Sequence, residues 1–144
     1  MASRIRTITV DCVDHERLGR FWAAAADYVE DPDNPNQPGD PEWLLVPAGR
    51  IGPALLFIPV PEPKSSKNRL HLDLQPIDRT QDEEIDRLIG LGATMIDDRR
   101  ALAEDGGWAV LADPEGHEFC VEPSEAERRA RAEIPAQTGN STRS

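Results

Sequence analysis

Three side chains able to move protons sit in two short extended runs. His71 and Asp73 belong to Arg69-Leu-His-Leu-Asp-Leu-Gln75, and Glu118 opens Glu118-Phe-Cys-Val-Glu122. Residues two apart on a strand share a face, so His71 stands with Asp73, and Glu118 with Cys120 and Glu122. An imidazole that titrates near neutrality beside carboxylates can act as a general acid or base. The alternative reading of His71 is a histidine hydrogen-bonded inside a polar barrel, and that of Asp73 and Glu118 is solvated strand carboxylates. Cys120 is either a reactive thiolate or a small buried filler.

The elements that must position these groups are written twice in the chain. Thr7-Ile-Thr-Val-Asp-Cys-Val-Asp14 and the helix pattern from His15 to Ala26 are echoed by His71-Leu-Asp-Leu-Gln-Pro-Ile-Asp78 and the helix pattern from Thr80 to Gly90. A strand led by Trp43 or Trp108, a Pro/Gly turn and a last strand follow each time, at offsets that agree to within one residue. This is the signature of a duplicated unit. Repeat one covers 4–60 and repeat two 69–122, joined by a polar, Pro-punctuated linker over 61–68 that is placed to fold over a cavity mouth.

Within repeat one, Ile8, Val10 and Cys12 alternate with Thr7, Thr9 and Asp11. Asp14 is a good N-cap, and Leu18, Phe21, Trp22 and Ala25 form the apolar stripe that packs on the strand's apolar face. The opposite face then carries Thr7, Thr9, Asp11, His71, Asp73, Gln75, Glu118, Cys120 and Glu122, so two half-sheets brought together would line a polar pocket. Asp11 is a candidate to hydrogen-bond a ligand or the neighbouring strand, and Trp43 and Trp108 are placed near the cavity walls. Asp113-Pro-Glu-Gly116 reads as a hairpin turn. After Pro123, a short charged helix leads to a tail with nothing to bury, so 124–144 lies outside the domain of 1–123.

Composition narrows the function. A chain of 144 residues is one domain, and a net charge of −11 repels phosphate backbones, which excludes nucleic-acid binding. No apolar run is long enough for a membrane span, and the N-terminus has no signal-peptide pattern, so a cytoplasmic protein with reduced Cys12 and Cys120 is expected.

The motifs Asp11-Cys-Val-Asp14, Arg20-Phe-Trp22, Lys67-Asn-Arg-Leu-His-Leu-Asp-Leu74, Leu88-Ile-Gly-Leu-Gly-Ala-Thr94 and Trp108-Ala-Val-Leu-Ala-Asp-Pro-Glu-Gly-His-Glu-Phe-Cys120 occur in order. Together they resemble the vicinal oxygen chelate superfamily, the fold of glyoxalase I, bleomycin-resistance proteins and extradiol dioxygenases, and within it the bacterial glyoxalase-like members. The resemblance spans Arg4 to Glu122. It implies an α+β fold of two βαβββ units with a cavity between curved sheets, and a homodimer as a frequent assembly. Metal-dependent members take one ligand from the first and last strand of each unit, and those positions fall here on Thr7, Phe57, His71 and Cys120.

Phe57 has no lone pair and Thr7 offers only a neutral hydroxyl, so His71 and Cys120 are the remaining metal-ligand candidates. No metal or other cofactor is expected, a divalent ion being the alternative. The resulting expectation is a glyoxalase-like protein that binds a small organic ligand, with Thr7, Asp11, Phe57, Trp43, Trp108 and Cys120 against it. Its alternatives are a metal-independent or atypical lyase or isomerase using His71, Asp73 and Glu118, and a module with a vestigial pocket.

Overall fold

The computed structural model describes residues 1–104 and 106–134. The segment 136–144, expected to be disordered, lies outside the described residues. In chain order the elements are β1 (Thr7–Cys12), α1 (His15–Ala26), β2 (Tyr28–Val29), β3 (Trp43–Pro47), β4 (Ala54–Pro59), β5 (Asp73–Leu74), α2 (Gln81–Gly90), β6 (Thr94–Asp98), β7 (Ala109–Ala112), β8 (Glu118–Val121) and α3 (Glu125–Ala132). Among the described residues no helix is long and apolar enough to cross a membrane.

The duplication read from the sequence is visible in the topology. One sheet has the order β1-β4-β3-β2 and the other β5-β8-β7-β6, each with its first strand parallel to its fourth. The equivalent registers pair Thr9 with Leu56 and Asp73 with Cys120. The α+β expectation of two βαβββ units is therefore correct, and the two sheets remain separate, with β1 and β5 as edge strands.

Helix starts follow the capping chemistry. The Asp14 side chain accepts from the Arg17 N–H, while Thr80 with Glu83 and Ser124 with Glu127 form reciprocal capping boxes. In α1 the stripe Leu18, Phe21, Trp22 and Ala25 is buried as its spacing requires. In α2, Ile85 and Leu88 are buried and Ile89 is exposed. The buried stripe of α2 is Gln81, Glu84, Ile85 and Leu88, and Ile89 falls beyond its edge.

Strand β5 is shorter than the alternation from Arg69 to Gln75 predicts. Ladder bonds begin only where the Cys120 N–H donates to the Leu72 carbonyl, at 2.9 Å. Upstream, the His71 ring lies 3.0 Å from the Asn68 carbonyl and the chain bends at Arg69 and Leu70 instead of extending.

The core runs across both repeats. Phe21 and Trp22 of α1 meet Phe119 of β8 with ring centroids 6.2 and 5.0 Å apart, so an aromatic cluster joins the first helix to the last strand. On the other side of α1, Trp43 packs flat against Gly19, where an added Cβ would come within 2.4 Å of the indole Cδ1. That contact requires glycine for space, since Gly19 lies inside a helix with ordinary backbone. Replacing Gly19 with alanine gains helix propensity but overpacks this contact, and we expect a net loss of about 1–3 kcal/mol. Chemical denaturation of the Gly19→Ala variant checks it, and unchanged stability would show that the indole moves aside freely.

Candidate functional site

The two repeats meet around the turn between β7 and β8. Asp113 opens this turn and is 3 % exposed, a burial that an ionised carboxylate tolerates only with several donors around it. It has them. The backbone N–H groups of Glu115 and His117 donate to Oδ1 at 2.9 and 3.0 Å, closing the turn locally. The Trp22 indole N–H, from the other repeat, donates to Oδ2 at 3.0 Å. His117 Nδ1 stands 2.9 Å from Oδ2, and its Nε2 is 3.2 Å from the Asp11 carbonyl on the edge of β1.

Both partners of this imidazole are acceptors without a proton, so the ring satisfies both only when doubly protonated. The hydrogen bond to Asp113 accordingly raises the His117 pKa above its ordinary value, against the opposing effect of burial. The same turn reaches further along repeat one, because the Glu115 carboxylate accepts the N–H groups of Val13 and Asp14 at 2.6 and 2.9 Å.

Beside this clamp lies a cavity of about 420 Å3 between the edge of β1, the chain entering β5, and β8. Ile8, Val10, Trp22, Leu70, Leu72 and Phe119 give it apolar walls, and Thr9, Asp11, Asn68, Arg69, His117 and Glu118 supply its polar groups. A second recess of about 380 Å3 adjoins it under the linker, sharing Asp11, Asn68, Arg69 and His117. Glu118 fixes the linker over this region. Its carboxylate accepts from Lys64 Nζ at 2.9 Å and from the Asn68 N–H at 3.0 Å. Burial works to raise the Glu118 carboxyl, but the Asn68 N–H and the Lys64 ammonium outweigh it and hold it down at about 2.

The structure separates the residues expected to act together. Glu118, Thr9 and Asp11 border the inter-unit cavity. Asp73 instead borders a recess of about 480 Å3 with Arg79, Glu84 and Arg87. His71 is exposed and turned onto the Asn68 carbonyl, so His71, Asp73 and Glu118 do not converge on one cavity. Thr7 is half-buried on β1 opposite Ala54.

Phe57 is completely buried in the core, and Trp43, beneath the Arg20 guanidinium, is 4 % exposed. Their side chains lie on the helix-packed side, because Phe57 pairs with Val10 and Trp43, whose parity points them at α1. Trp108 precedes β7 and is 42 % exposed. Cys120 is half-buried, and burial together with the neighbouring Asp73 carboxylate pushes its thiol up to about 11. It is therefore a neutral thiol at physiological pH and a weak nucleophile. Among the described residues no group of three or more His, Cys, Asp or Glu is arranged to hold a metal ion.

Asp113, His117 and Trp22 form a centre that no sequence motif marks. A turn motif and a helical stripe explained them locally, and only His117, a titratable residue directly following a tight turn, carried a signal that it had a further partner.

Paired βαβββ units whose edges enclose a cavity define the glyoxalase/bleomycin-resistance class of fold. A family model described as a glyoxalase-like domain matches residues 7–122, and the chain belongs to that family. Solved structures agree on the fold. The genomically encoded fosfomycin resistance protein FosX from Listeria monocytogenes is 19% identical, with 90% of this chain and 98% of that one covered and a TM-score of 0.65. FosX from Mesorhizobium loti is 20% identical over 90% of this chain and 99% of that one, with a TM-score of 0.61. A glyoxalase/bleomycin resistance protein/dioxygenase family enzyme from Burkholderia phytofirmans PsJN is 17% identical over 83% and 97%, with a TM-score of 0.57. Among curated protein sequences none matches significantly.

The clamp has a pH signature. Because the folded pKa of His117 is raised above its ordinary 6.5, its stabilising contribution is complete below that value and declines as pH rises through the folded pKa. The stability difference between the wild type and His117→Gln should therefore be largest near pH 6 and narrow by about 1 kcal/mol at alkaline pH. Denaturant melts across this range check it, and a difference that stays constant or widens would show that His117 is not held as an imidazolium.

Proposed function

We propose that this glyoxalase-like protein binds a small organic molecule in the inter-unit cavity. The observation that carries the reading is the cavity itself, at about 420 Å3 between the repeats, with aromatic and aliphatic walls and a few polar groups on one side. Its size and lining are those of small-molecule sites, where apolar surface supplies affinity and a few polar groups set orientation. Trp22 and Phe119 are held rigidly by the aromatic cluster and by Asp113, so the wall is preorganised and little ordering entropy opposes binding.

The alternative in which His71 acts as a general acid or base, assisted by Asp73 and Glu118, has less support. Its three groups point to different places, and a carboxylate held at about 2 is a weak base at neutral pH. Metal-dependent chemistry is also a poor fit to the residues present. The Listeria FosX structure was determined with Mn(II) and a dihydroxypropylphosphonic acid, whereas here the positions that the superfamily resemblance assigns to ligands include a core phenylalanine and a threonine hydroxyl.

The uncharged fluorophore N-phenyl-1-naphthylamine tests the cavity. It should bind the wild type saturably at one site per chain, and Leu72→Trp, which fills the cavity from the wall, should weaken that binding about tenfold while melting near the wild type. Excess chelator should leave the titration unchanged. No saturable binding, or equal binding by Leu72→Trp, would contradict the reading, and loss of binding with chelator would restore a metal to the site.

A further inference from the structure

The charge class of the ligand can be inferred on the further basis that the inter-unit cavity is the ligand site. The chain carries a net charge of −11, yet both of its lysines, Lys64 and Lys67, lie in the linker, Arg69 follows at once, and the stretch 64–69 contains no acid. This concentration of positive charge sits at the cavity. Arg69 borders both the inter-unit cavity and the adjoining recess, and Lys64 and Lys67 border the recess.

Most acids facing these cations are already engaged. Asp113 is covered by Trp22, His117 and backbone N–H groups. Glu118 is held by Lys64 and Asn68, and Glu115 by the N–H groups of Val13 and Asp14. Asp11 and Glu62 remain among the acids lining the two spaces, both exposed to water, and Asp73 stands with Lys67 on the Cys120 side. Among the described residues Arg69 and Lys67 form no ion pair, and Lys67 lies near enough to Cys120 to favour its thiolate electrostatically.

We propose that the cavity takes a small organic anion, its apolar body against Trp22, Leu72 and Phe119 and its acidic head at the mouth against Arg69 and Lys67. A charged head entering a partly desolvated mouth needs an opposite charge that is not already paired. Arg69 provides one in the form best suited to a carboxylate, a planar guanidinium that donates two parallel hydrogen bonds. An organic cation would meet Arg69, Lys67 and the His117 imidazolium instead.

Three ligands with the same body and different heads separate the charge class from the cavity: 4-phenylbutyrate, 4-phenylbutanamide and 4-phenylbutylamine, titrated calorimetrically into the full chain at low ionic strength. The anion should bind about tenfold more tightly than the amide, and the amine most weakly. Arg69→Gln should bring the anion to the affinity of the amide without changing the amide, Lys67→Gln should do so in part, and added salt should shrink the preference. Equal binding of anion and amide by the wild type, or a preference that survives Arg69→Gln, would overturn the anion proposal and leave the cavity reading standing. If none of the three binds, both fall.

Discussion

A buried carboxylate cannot stay ionised inside a protein unless donors replace the water it has lost, and Asp113 meets that condition by drawing donors from both repeats. The two N–H groups of its own turn fix the hairpin, and the Trp22 indole fixes the first helix. The His117 ring bridges from the carboxylate to the backbone of β1. Each donor also has a second task. Trp22 packs on Phe119, His117 borders the cavity, and the neighbouring Glu115 holds the end of β1. The relative placement of the repeats thus rests on this polar centre inside an apolar interface, with a second polar link where the Arg87 guanidinium of α2 donates to the Ala24 and Ala25 carbonyls of α1.

That placement determines what the cavity is. β1 and β5 are edge strands of separate sheets, and β1 and the chain entering β5 both border the space between them. The space left between them is apolar where the core reaches it and polar where the edges and linker reach it. Glu118 then ties the linker down through Lys64 and Asn68. In the resulting site Asp113, Glu115 and Glu118 are committed to neighbours, whereas Arg69 and Lys67 form no ion pair among the described residues. The acidic surface elsewhere keeps this arrangement distinct, since the positive charge at the mouth stands out against a negative molecule.

The fold was legible because it rests on local rules applied twice. Alternation in Thr7 to Cys12, the Asp14 cap, and the stripe Leu18, Phe21, Trp22 and Ala25 each specify their element from nearby residues alone. The length of β5 departs from those rules for a tertiary reason, a turn made by His71 and Asn68. The site was less legible. Parity puts His71, Asp73 and Glu118 on polar faces, but it does not say that a bend will turn His71 away or that a lysine far along the chain will occupy Glu118. Asp113 and His117 form their decisive contacts with residues about a hundred positions earlier, and no local pattern records such pairings.

Hydrogen exchange on the near-isosteric Asp113→Asn variant tests most directly whether one carboxylate couples the repeats. The substitution keeps the side-chain shape and removes the charge that gathers the Trp22 and His117 donors. Our account predicts that amides of β1 and the start of α1 lose protection together with those of the β7–β8 turn, because the strand edge and helix of repeat one are held through that centre. Loss confined to residues 113–117, with β1 and α1 as protected as in the wild type, would contradict it and make the turn a local feature of repeat two.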